Sequence, residues 1–105
     1  MKSDIQIALA QITCTTGKIE NNLNKHRDYM HRAAEAGAAV VCFPEASLTG
    51  YPVKGVNASD IAEPVQGQAL QELIHLTNEL GITACIGFLE KAPAGHCFIA
   101  HAVAN

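Results

Sequence analysis

A chain of 105 residues with a formal net charge of −3 and only seven scattered Lys and Arg has no basic stripe to neutralise phosphates, which sets aside nucleic acid and anionic membrane as partners. At this length it is one domain at most, and a domain of that size buries roughly 60–70% of the surface its unfolded form exposes. Its 49% apolar fraction comes mainly from Ala, Val, Ile and Leu, with no Trp, two Tyr and three Phe, a composition suited to close helix-on-sheet packing.

In chain order, Ile5 to Ile12 sets Ile5, Ile7 and Leu9 against Gln6, Ala8, Ala10 and Ile12, predicting a strand that is largely apolar on both faces. Asn21 or Asn22 then caps a helix whose inner stripe is Leu23, His26, Met30, Ala33, Ala34 and Gly37, with Gly37 ending it. Ala39 to Phe43 follows as a second strand, and a strand–helix–strand unit of this kind makes parallel neighbours with a right-handed crossover. Pro44 to Val65, 22 residues interrupted by Gly50, Pro52, Gly55 and Pro64, predicts an ordered loop of functional length, anchored by Leu48, Tyr51, Val53, Val56 and Ile61. Gln66 to Leu80 is a second amphipathic helix with Leu70, Leu73, Ile74, Thr77 and Leu80 on one stripe, closed by Gly81. Ile82 to Leu89 is a third strand. The eight residues Glu90 to Cys97 are too few for a crossover helix, so Phe98 to Ala104 returns antiparallel.

The result is an α/β layer of about four strands with two helices on one face, and strands apolar on both. The face opposite the helices needs a cover, from more chain or another copy, and a homo-oligomer is therefore expected. A strand directly before Asn105, with no element to cap it, leads to the expectation of a fragment or truncated product.

Cysteines at 14, 42, 85 and 97 form no C-x-x-C pair, and Cys42 and Cys85 fall inside apolar runs. They read as reduced core thiols. With Lys2 and Asp4 at the N-terminus and Gln6 and Gln11 breaking its apolar run, the continuous core of a signal peptide is missing, and a cytoplasmic protein is expected. Asn57-Ala58-Ser59 spells a glycosylation sequon that reads here as an ordinary polar loop.

One stretch organises the rest. From Ala38 to Phe43 nothing is polar, which fits a strand buried on both faces, and Pro44 stops the ladder because it has no N–H to donate. Glu45 therefore stands where a buried strand ends, and in open α/β sheets ligands bind beyond the carboxyl ends of the strands. His96, Cys97 and His101 form no metal site: Cys97 and His101 share a face, His96 points the other way, and no carboxylate neighbours them.

Three places in the chain resemble the beginning of a nitrilase-superfamily carbon–nitrogen hydrolase. Ile7-Ala8-Leu9-Ala10-Gln11 is similar to that family's first strand, and Asn22 with Ala33-Ala34-Glu35-Ala36-Gly37-Ala38 to its first helix. Phe43-Pro44-Glu45 with Leu48-Thr49-Gly50-Tyr51 is close to its glutamate signature. The resemblance implies an α-β-β-α sandwich of which residues 1–105 are the N-terminal part, and a Glu-Lys-Cys set, without cofactor, acting on a small amide or nitrile. Glu45 is then the general base that takes the thiol proton, a Lys stabilises the oxyanion, and the Cys forms a thioester that water hydrolyses. A thiol titrates near ~8.5, so a base is needed, and a carboxylate serves if burial raises its pKa. Pro44 and Val40–Phe43 are expected to supply that burial. The family's Lys and Cys come later, each in its own motif, and neither motif occurs before Asn105; Lys54, Lys91, Cys42 and Cys97 sit in other contexts. Phe98-Ile99 and Lys18 also depart from the family's usual residues. Tyr51 is either a wall of the substrate pocket or an aromatic that packs the loop down. Two other readings remain: a non-catalytic homologue serving as a binding or oligomerisation module, and a flavodoxin-like domain, which lacks a phosphate-cradling Gly-rich turn.

Overall fold

The computed structural model describes residues 4–105; Lys2, used in the signal-peptide reading, lies outside them. The elements run β1 (Ile7–Leu9), α1 (Ile19–Glu35), β2 (Val40–Cys42), α2 (Ala58–Ile61), α3 (Gln68–Leu80), β3 (Thr83–Lys91), a 3₁₀ turn (Pro93–Gly95) and β4 (Cys97–Ala104). They build one sheet in the order β1-β2-β3-β4. The first three strands are parallel and β4 is antiparallel to β3, as the short connection before it requires.

The predicted first strand, Ile5 to Ile12, shrinks to Ile7–Leu9 because it is an edge, paired only with Val40–Cys42. At the start of α1, Lys18 occupies the cap position with no side-chain bond. Asn22 is not the cap; it lies inside the first turns, fully buried, its amide turned toward other parts of the chain. The long loop gains the short helix α2 and a parallel bridge from Glu63 to Glu90. Of its expected anchors, Leu48 and Ile61 are buried and Val56 half-buried, whereas Tyr51 and Val53 are exposed.

Side-chain alternation divides the sheet sharply. Val41, Phe43, Ala84, Ile86 and Phe88 pack on Leu23, Met30 and Ala33 of α1 and Leu70 and Leu73 of α3. A pair between Arg27 and Glu72 ties the two helices at their rim. On the other face the cross-strand row Leu9–Cys42–Cys85–Val103 lies open, with Leu9 75% and Val103 70% exposed. Cys42 and Cys85 are thus free thiols of the uncovered face and not core residues, because their period-two positions are one residue off the core set. Burial and the neighbouring Cys42 thiol push the Cys85 thiol up.

Candidate active site

β2 delivers the chain into a tight turn at its carboxyl end. Pro44 ends the ladder, the Ser47 N–H donates to the Pro44 carbonyl (3.2 Å), and the Gly50 N–H donates to Ala46 (2.7 Å). Ala46 takes a left-handed conformation, φ 55°, which is uncommon for a residue with a Cβ and persists only where the surroundings over-determine it. Here they do. The Leu48 N–H donates to the Gly87 carbonyl of β3 (2.8 Å), and the Leu89 N–H donates to Thr49 Oγ1 (3.0 Å). A Cβ built at Gly87 would lie 2.5 Å from both the Ala46 nitrogen and the Pro44 oxygen, so the turn rests directly on the β3 backbone.

From the helix side, Asn22 Nδ2 donates to the carbonyls of Thr15 (2.8 Å) and Leu48 (3.0 Å), while its Oδ1 accepts the Thr15 N–H (2.8 Å). His26 is fully buried; its ring packs on Phe43 at 4.3 Å and bonds Ser47 Oγ at 2.8 Å. Among the described residues no buried side-chain polar atom lacks a partner. Asn22, His26 and Ser47 are the residues that sequence reasoning missed as part of the site. Their signal was available: two polar residues four apart on an otherwise apolar stripe, and two hydroxyls, Ser47 and Thr49, inside the glutamate motif.

Burial holds the His26 imidazole below its ordinary pKa, against a smaller raising effect of the Asn22 carbonyl. The folded chain therefore binds the His26 proton less readily than the unfolded chain. Its contribution to stability is complete above the ordinary value near 6.5 and is lost as pH falls from there through the folded-state value. Urea denaturation between pH 5 and 8 (about the range in which His titrates) is expected to show stability declining on the acid side, and His26→Gln is expected to remove that part of the slope.

Glu45 stands at the apex of the turn, exposed. The burial expected from Pro44 and Val40–Phe43 is absent, because Val41 and Phe43 point into the core while the turn carries Glu45 out of it. Its carboxylate Oε2 accepts the Tyr51 hydroxyl. Tyr51 is itself held through its carbonyl, which accepts the Thr16 hydroxyl at 2.8 Å. The structure thus brings Glu45 and Tyr51 together; Lys54 and Lys91 are exposed elsewhere. Two concavities of about 410 and 150 Å³ lie along α1 and α3, the first lined by Arg27, His31, Glu72, His75, Leu76 and Glu79, and neither borders Glu45 or Tyr51. Among the described residues no three His, Cys, Asp or Glu side chains gather as a metal site, and no helix is long and apolar enough to cross a membrane.

An α/β layer of three parallel strands and an antiparallel fourth, with a buttressed Pro-Glu turn at the end of its second strand, has the fold of carbon–nitrogen hydrolase chains. The chain belongs to that family, whose model, carbon–nitrogen hydrolase, matches residues 6–104. A hydrolase of Mycobacterium tuberculosis is 39% identical over 91 residues, 87% of this chain and 31% of that protein. A glutamine-dependent NAD(+) synthetase of Thermotoga maritima is 30% identical over 87 residues, 83% of this chain and 15% of that protein. Among solved structures, an amidase from Nesterenkonia superposes with a TM-score of 0.74 at 25% identity, covering 96% of this chain and 38% of the amidase. The chain therefore spans well under half the length of the relatives it matches.

Proposed function

We propose that residues 1–105 form the N-terminal portion of a cytoplasmic, homo-oligomeric hydrolase that cleaves the carbon–nitrogen bond of a small amide or nitrile, with Glu45 as its general base. The observation that carries the reading is the position of Glu45, at the carboxyl end of a parallel strand on a turn fixed from both sides. Glu45 takes the proton of a cysteine thiol, and the thiolate sulfur attacks the substrate carbon. A lysine stabilises the developing charge. Glu45 passes the thiol proton to the substrate nitrogen as the carbon–nitrogen bond of an amide breaks, leaving a thioester and free ammonia or amine; with a nitrile the sulfur adduct is a thioimidate, which takes up one water before its nitrogen leaves as ammonia. Water then attacks the thioester with Glu45 receiving its proton, and that proton returns to the cysteine sulfur as the carboxylic acid is released. Tyr51 holds the carboxylate through its hydroxyl and borders the substrate. The free thiols and the open apolar sheet face support the cytoplasmic and oligomeric parts of the reading.

In this reading the lysine and the cysteine lie outside residues 1–105, and the 105-residue chain alone turns over neither amides nor nitriles. An ammonia-release assay on the purified chain tests it. Turnover that Glu45→Gln abolishes would mean that a nucleophile lies within these residues, and would overturn the assignment.

A further inference from the structure

His26 makes more contacts with the Glu45 turn than packing alone requires. A Leu or Met would fill its place on the α1 stripe without the cost of burying an imidazole. Its Nδ1 lies 2.6 Å from the Asn22 carbonyl; a carbonyl only accepts, so Nδ1 carries the proton. The neutral ring then leaves Nε2 as an acceptor, and the Ser47 hydroxyl 2.8 Å away donates to it. The other acceptor near that hydroxyl, the Gly87 carbonyl, is 3.4 Å distant and already receives the Leu48 N–H. The ring also packs on Phe43 with its plane tilted by 34°. Phe43 and Ser47 stand two residues before and two residues after Glu45, so one imidazole grips both sides of the residue at the apex.

We infer that His26 is a positioning residue for Glu45, acting through Ser47 and Phe43 to fix the turn that aims the carboxylate; this rests on the reading of Glu45 as the base. The groups in hydrogen-bond or aromatic contact with the ring are Asn22 from α1, Phe43 from the end of β2 and Ser47 from the turn, all uncharged. Protonation makes Nε2 a donor and reverses the bond to Ser47, whose own proton must then turn toward the more distant Gly87 carbonyl. The turn is thereby loosened at one of its two grips.

The two tyrosines allow a test on the chain itself. Tyr51 reports its bond to Glu45, while Tyr29, on α1 under the Arg32 guanidinium, serves as reference. In the chain labelled at the tyrosine Cζ, the Tyr51 resonance is expected to show an inflection that coincides with the titration of the His26 ring protons, with Tyr29 unmoved. In Ser47→Ala, His26 still titrates and the Tyr51 inflection disappears. A Tyr51 resonance indifferent to His26, or one that moves only together with Tyr29 as the whole chain unfolds, overturns the inference, and the native chain alone decides this if Ser47→Ala does not fold. The base reading fails separately, by retained turnover in a Glu45 variant, and that result leaves the Tyr51 measurement unaffected.

Discussion

Gly87→Ala is expected to cost about 3 kcal/mol of unfolding free energy, at the upper end of what one added core carbon does. The new Cβ meets backbone on both sides of Glu45, 2.5 Å from the Pro44 oxygen and 2.5 Å from the Ala46 nitrogen, with the Glu45 carbonyl carbon at 3.0 Å. None of these atoms can swing aside as the end of a long side chain would. Relief requires the turn to lift from β3, and lifting breaks the bonds from Leu48 to Gly87 and from Leu89 to Thr49 that seat it. The loss should appear in urea denaturation as a lower midpoint with an unchanged slope. A midpoint like that of the native chain would mean that the turn is not seated on β3.

Glu45→Gln is expected to behave in the opposite way, with little effect on the fold and a large one on chemistry. Glu45 is exposed, and its side chain accepts a hydrogen bond from the Tyr51 hydroxyl. The glutamine oxygen still accepts that bond, more weakly than the carboxylate, and at an exposed site stability should change by less than about 0.5 kcal/mol. A glutamine cannot take a proton from a thiol. The loss of a positioned general base lowers the rate by roughly 10²–10⁴, and the loss should fall on kcat because the base acts in the transition state.

The contrast between these two residues also marks what the sequence made legible. The β2 run, its stop at Pro44 and the presence of a carboxylate just beyond it follow from local rules of pleat, proline and polarity. So do the two helical stripes and the antiparallel return of β4. Asn22 was misread as a cap because capping is a rule about neighbours, whereas its actual partners, Thr15 and Leu48, come from outside its helix. Nothing in the sequence separates Gly87 from any other strand glycine; its role comes from the turn that rests on it. The Glu45–Tyr51 contact depends on Ala46 adopting a left-handed conformation, which no propensity favours for alanine. The expected burial of Glu45 failed for a related reason: the apolar run preceding it packs inward, while the turn reverses the direction of the next side chain.

The most direct test is ammonia release from small amides by the native gene product, with whatever residues follow Asn105, and by its Glu45→Gln variant at equal folded concentration. The predicted result is turnover by the native protein and a fall of about two to four orders of magnitude in the variant. Turnover that survives the substitution, or a native product that ends at Asn105 and hydrolyses nothing, would contradict the assignment of Glu45 as the base of a carbon–nitrogen hydrolase.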